Sequence, residues 1–314
     1  MALDPQTKTL LDAMNAMAGP KLYEMAVEDA RIALQTLSIE NGGKQQELKK
    51  VENRMIDGPR GPVPVRVYWP DVNAPSLPLL MFYHGGGFAL GDLDSHDNIC
   101  RAMCNEAGVI VVSVHYRQPP EHPFPAAPED CFAALSWTAK NAAALGGDET
   151  RIAVAGDSAG GNLSAAVCLM AKENRGPRIA YQVLCYPGIQ MDPDYLTPSR
   201  KEFGGGDYFL SFADMRWISG MYTPHPDDMK NPLASPLLAK DLSRLPPALV
   251  ITAGHDMLRD EGKEYAVRLK AAGVDTEYVD YEGAIHGFLS FSGVLDLGRH
   301  ALSLIARRLH ERLG

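Results

Sequence analysis

The chain predicts an α/β fold, a mostly parallel sheet covered by helices on both faces. From about residue 60 onward, short apolar stretches rich in β-branched residues alternate with helix-like ones, the pattern of strands joined by crossover helices. The 314 residues, 46% hydrophobic and 22% charged, suffice for one large core. Several of the apolar runs also end directly in glycine-rich loops, as buried strands do.

Taken in order, Leu10, Leu11, Met14 and Met17 fall at helical spacing, and after Gly19-Pro20 a second amphipathic stretch runs from Tyr23 to Leu37. A first strand is expected near Gln46 to Met55. Seven more follow at Val63 to Tyr68, Leu79 to Tyr83, Val109 to His115, Ile152 to Ala155, Tyr181 to Tyr186, Ala248 to Ala253 and Thr276 to Tyr281, making eight. Helices are expected between them, among them Asp130 to Ala144 and Gly262 to Ala272. The stretch from Ile189 to Asn231 breaks the alternation and carries Tyr208, Phe209, Phe212, Trp217 and Tyr222. Aromatic residues so spaced are more often core than ligand contacts. The resulting organisation is N-terminal cap helices over 1–45, a core over 46–188, a helical cap insertion over 189–231, and the rest of the core over 232–314.

A formal net charge of -9 with no long basic run argues against nucleic acid or an anionic membrane surface as partner. No apolar run approaches the ~20 residues of a membrane span, and the N-terminus lacks the pattern of a secretory signal, so a cytoplasmic location is expected. Five scattered cysteines, Cys100, Cys104, Cys131, Cys168 and Cys185, suit reduced thiols in a core better than a disulfide framework. Cys100 and Cys104 lie one helical turn apart, but no histidine pair completes a tetrahedral set around them. No metal and no cofactor are expected.

Two motifs carry chemistry. Gly156-Asp157-Ser158-Ala159-Gly160 fits G-x-S-x-G, in which small residues let a strand turn sharply into a helix and hold a serine hydroxyl outward in a strained conformation. Its setting fits too, with apolar Arg151 to Ala155 before it and helix-like Asn162 to Met170 after it. His84-Gly85-Gly86-Gly87 follows the apolar run Leu79 to Tyr83, and its glycines leave backbone N–H groups bare to approach a developing oxyanion.

A serine hydroxyl needs a base, and the base needs an orienting carboxylate. In the chain order that accompanies this type of elbow, the acid comes after the serine and the histidine last, each in a loop after a late strand. Of the nine histidines, His286 stands in a glycine-flanked loop after the last strand and is the expected base. Asp256 stands closest to the end of its strand and is the expected acid, whereas Asp260 and Glu261 fall at the following helix start, where the helix dipole already accounts for them. Asp157 is read as stabilising the elbow, His84 as shaping the oxyanion loop, and the remaining histidines, His96 and His115 among them, as structural.

These residues resemble the bacterial hormone-sensitive-lipase-like carboxylesterases of the α/β-hydrolase fold. The resemblance covers His84 to Asp97, Tyr116 to Ala127, Gly156 to Leu163, Ser235 to Val250 and Asp256 to Phe288. It implies an eight-stranded α/β-hydrolase sheet with a helical cap, Ser158 as nucleophile, Asp256 as acid and His286 as base. It also implies Gly85, Gly86 and Ala159 as oxyanion donors, esters of short to medium acyl chains as substrates, and a homodimer through the last strand. Met257 stands where the family commonly has proline, and His115 and Gln118-Pro119 alter its D-Y-R-L-A-P-E segment; both changes touch loop shape rather than the three side chains. An amidase or deacetylase would use the same residues, and a non-catalytic small-molecule receptor on this scaffold is a further alternative that the presence of His286 disfavours.

Overall fold

The computed structural model describes residues 2–17 and 19–314; Met1 and Ala18 of the expected N-terminal cap segment lie outside the described residues. Its sheet has eight strands: β1 (Lys50–Gly58), β2 (Gly61–Trp69), β3 (Leu77–Tyr83), β4 (Ile110–Val114), β5 (Gly147–Asp157), β6 (Tyr181–Cys185), β7 (Ala248–His255) and β8 (Thr276–Ile285). They are ordered β1-β2-β4-β3-β5-β6-β7-β8. β2 runs antiparallel to both neighbours, and every pairing from β4 to β8 is parallel. The first strand begins at Lys50 rather than Gln46 and continues to Gly58, because the Pro59-Arg60 turn lets it pair with β2 along its whole length.

Register decides where function can sit. Tyr83 pairs with both Val114 and Gly156, Asp157 with Cys185, Cys185 with Ile251, and His255 with Ile285. The loops leaving β3, β5, β7 and β8 therefore open at one edge of the sheet, the carboxyl end, where open α/β sheets hold their ligands.

The inner strands β3 to β7 are buried along most of their length. On one face, Leu79, Met81, Tyr83 and Val154 pack with α4 (Ala126–Lys140), α6 (Ala159–Glu173) and α9 (Arg259–Ala271). On the other, Leu80, Phe82, Ala153 and Val183 pack with α3 (Asp97–Ala107) and α10 (Asp296–Leu313). The helix expected over Asp130 to Ala144 is two pieces, α4 and the single turn α5 (Ala142–Leu145). The chain leaves helical geometry at Asn141, whose side-chain amide donates to the Trp137 carbonyl, the competition with backbone that disfavours asparagine inside helices.

Two helices precede the sheet: α1 (Pro5–Ala16), capped by the Asp4 carboxylate on the Gln6 and Thr7 N–H groups, and α2 (Val27–Asn41). Two more lie between β6 and β7: α7 (Pro198–Phe203), and α8 (Phe212–Tyr222), which opens on a Ser211/Asp214 capping box. Among the described residues no helix is long and apolar enough to cross a membrane.

Candidate active site

Ser158 sits between β5 and α6 with φ 53° and ψ -116°, a conformation that costs a non-glycine residue strain and is retained where function uses it. The surrounding small residues make the turn feasible. A β-carbon at Gly160 would stand 1.8 Å from the Tyr83 carbonyl oxygen, so only glycine lets α6 start this close to β3.

The loops after β7 and β8 bring the two expected partners to it. Ser158 Oγ lies 2.8 Å from His286 Nε2, and His286 Nδ1 lies 2.7 Å from Asp256 Oδ2. The other Asp256 oxygen accepts the Leu258 N–H at 2.9 Å, which fixes the carboxylate. Burial disfavours a charged imidazole at His286, but the nearby carboxylates, Asp256 first, outweigh it and hold its pKa above the ordinary histidine range. The Tyr186 ring meets the His286 ring edge-on at 5.0 Å between centroids.

The three expected oxyanion donors, Gly85, Gly86 and Ala159, differ in whether their N–H groups are taken. Gly85 donates its N–H to Asp157 Oδ1 at 2.9 Å and so has none to offer a substrate. The next residues, Gly86 (φ 107°) and Gly87 (φ 60°), turn the loop so that they line the cavity over Ser158 together with Ala159. Among the described residues the N–H groups of Gly86, Gly87 and Ala159 donate to no other backbone carbonyl. The group that takes the Gly85 N–H, Asp157, is 72 residues away in sequence.

Asp157 does more than brace the elbow. Buried, it also meets His96 Nε2 at 3.2 Å and the Tyr186 hydroxyl at 3.5 Å. Burial opposes its charge, yet His96 and the Gly85 N–H pull its pKa below the ordinary carboxylate value. One carboxylate thus ties the glycine loop after β3 to the turn that holds Ser158. His84 backs the same loop: its ring stacks on Tyr116 at 4.3 Å, and burial lowers its pKa to about 3, so it is a neutral support. His96 was unremarkable in the sequence, and its place in the segment His84 to Asp97 was the single signal available.

The cavity above Ser158 has a volume of about 120 Å³. Its walls come from Leu22 and Leu34 near the N-terminus, from Phe209, Met215, Trp217 and Ile218 around α8, and from Phe291 beyond the histidine. Of the five aromatic residues singled out between 189 and 231, Phe209 and Trp217 line it. Tyr222 is buried and stacks on Phe88 at 3.7 Å, while Tyr208 and Phe212 pack with Phe203 and Met257. Among the described residues no group of histidine, cysteine and carboxylate side chains is arranged to hold a metal ion.

This geometry has close parallels. A family model described as alpha/beta hydrolase fold matches residues 80–290. Carboxylesterase NlhH of Mycobacterium tuberculosis is 41% identical over 98% of this chain and 97% of its own. An ethyl acetate hydrolase of Pseudomonas putida is 33% identical over the full length of both. Among solved structures, a hyperthermophilic esterase from the archaeon Pyrobaculum calidifontis superposes with a TM-score of 0.95 at 43% identity, covering 99% of each chain. The chain belongs to the α/β-hydrolase family, in its hormone-sensitive-lipase-like carboxylesterase branch.

Proposed function

We propose that the protein is a serine carboxylesterase acting on esters of short to medium acyl chains, with segments 1–45 and 189–231 serving as its cap. His286 Nε2 takes the Ser158 proton as Oγ attacks the ester carbonyl, and Asp256 holds the imidazole in the required tautomer and stabilises the imidazolium. The carbonyl oxygen, now negative, accepts N–H bonds from Gly86, Gly87 and Ala159. His286 then returns the proton to the departing alkoxide, leaving an acyl-Ser158 ester. Water, deprotonated by the same histidine, attacks that ester and releases the acid. Apart from the ester and that water, each step uses groups of the chain itself.

The observation that carries this reading is the unbroken hydrogen-bond line Ser158–His286–Asp256 opening on a cavity of about 120 Å³. The cavity's apolar walls, among them Leu22, Leu34, Phe209, Met215 and Ile218, suit an acyl chain. Five cysteines, all reduced and buried, support a cytoplasmic setting. The edge position of β8 supports a homodimer formed there, as an open edge permits pairing.

The test is a p-nitrophenyl ester series of increasing acyl length with the parent protein and Ser158→Ala side by side. Short esters should be cleaved best, and the variant should lose several orders of magnitude in turnover. Near-full activity of the variant overturns the nucleophile assignment, and turnover of anilides in preference to the matching esters would convert the reading to an amidase.

A further inference from the structure

Among the residues lining the cavity there is no lysine or arginine. Three of its ionisable groups, His96, Asp157 and His286, belong to the catalytic cluster and are engaged there. The fourth, Asp214, stands apart in a wall otherwise dominated by Leu22, Phe209, Met215, Trp217 and Ile218.

Asp214 occupies the third position of α8, and its bonding is lopsided. Oδ2 takes both the backbone N–H and the hydroxyl of Ser211, at 2.9 and 2.5 Å. Oδ1 accepts no hydrogen bond and joins no ion pair among the described residues. Lys21 is near enough to act on it electrostatically but forms no ion pair with it. The capping box explains one oxygen and leaves the other without a partner.

The helix sets Asp214 relative to the residue that covers the glycine loop. Asp214 and Ile218 are four residues apart on the cavity face of α8, and Ile218 covers Gly87 so closely that a β-carbon there would fall 2.4 Å from it. Four residues rise about 6 Å along a helix, so the Asp214 backbone stands about one turn from that of Ile218, the residue that covers Gly87. Trp217, between them in sequence, presents an aromatic ring to the same space, and aromatic faces attract cations.

We propose, building on the carboxylesterase reading, that Asp214 makes this cavity selective for esters that carry a cationic amine a few bonds from the reacting carbonyl. A quaternary or protonated amine placed one helical turn from the oxyanion would meet Oδ1 and the Trp217 ring, whereas an anionic substituent would meet a carboxylate with no lysine or arginine in the cavity wall to offset it.

Isosteric ester pairs test this. Acetylcholine against 3,3-dimethylbutyl acetate places the charge on the alcohol side. Methyl 4-(trimethylammonio)butanoate against methyl 5,5-dimethylhexanoate places it on the acyl side. In at least one pair the parent protein should favour the cationic member, and Asp214→Asn should lower the cationic-to-neutral ratio of kcat/KM about five- to tenfold, the size expected of a half-buried charge contact. Ratios unchanged by Asp214→Asn in both pairs overturn the proposal. Ser211→Ala removes the cap but keeps the charge, so it should lower thermal stability and leave the ratio intact; an equal fall in that variant assigns the effect to a distorted helix end and also overturns the proposal. Calorimetric titration with butyltrimethylammonium reads the contact without chemistry. Weaker binding to Asp214→Asn than to the parent supports it even if no ester is hydrolysed, an outcome that would defeat only the esterase reading, and equal binding overturns it.

Discussion

Gly160 and His286 show how narrowly single residues are specified. At Gly160 any side chain would collide with the Tyr83 carbonyl, so Gly160→Ala should either fail to fold or lose most esterase activity through displacement of the neighbouring serine, as read by circular dichroism and initial rates. At His286 the prediction concerns pH. Its pKa lies above the ordinary 6.5 because the carboxylates outweigh burial, and only the neutral ring can accept the serine proton. The kcat/KM profile should therefore fall on acidification with a midpoint above 6.5, and Asp256→Asn should move the residual activity's midpoint downward while lowering the rate by orders of magnitude. A midpoint unmoved by that substitution would contradict the pairing. The three side chains were legible in the sequence because their order and their place after strands are local facts. That the Gly85 N–H is already taken was not, since it depends on Asp157, a contact between segments 72 residues apart that no periodicity encodes.

At the scale of elements, the segment between β6 and β7 is joined to α9, the helix that follows Asp256, by a buried ion pair. Arg200 Nε donates to Glu261 Oε2 at 2.8 Å, its other nitrogens donate to the Gln190 and Asp192 carbonyls, and Glu261 Oε1 accepts the Ile189 and Gln190 N–H groups. Both side chains are fully buried. Breaking such a pair leaves a charge without compensation, which costs about 3–5 kcal/mol. Arg200→Leu should lose that much in denaturant unfolding, and adding Glu261→Leu should restore part of it; additive losses would show that the pair does not act as a unit. Ser199 adds a bond from its hydroxyl to the Met257 carbonyl, next to Asp256. The sheet strands were readable from their apolar runs, but this clamp was not: Glu261 reads in sequence as an ordinary acidic residue in the first turn of a helix, and only the fold brings Arg200 to it.

For the whole molecule, the two sheet faces bury every cysteine, and burial raises the thiol pKa, to about 12 for Cys104 and further for Cys100, Cys131, Cys168 and Cys185. Thiolate is the reactive form. The native protein should therefore be nearly inert to an aromatic disulfide reagent, whereas the denatured chain should release five equivalents; rapid reaction of any thiol in the native state would mean that a core layer opens readily. The eight-strand count and α/β class were visible in the alternation, while the antiparallel direction of β2 was not, because direction is set by which neighbour a strand joins.

The cavity wall includes Leu22 and Leu34 from one end of the described chain and His286, Ser290 and Phe291 from the other. Contacts so distant in sequence pay their loop-closure entropy late and slow folding. On the proposed mechanism, the emerging polypeptide remains chemically silent until the last strand has been made and has delivered its histidine. Prematurely terminated chains, however well folded in their first two hundred and fifty or so residues, would carry an armed-looking serine with nothing to discharge it.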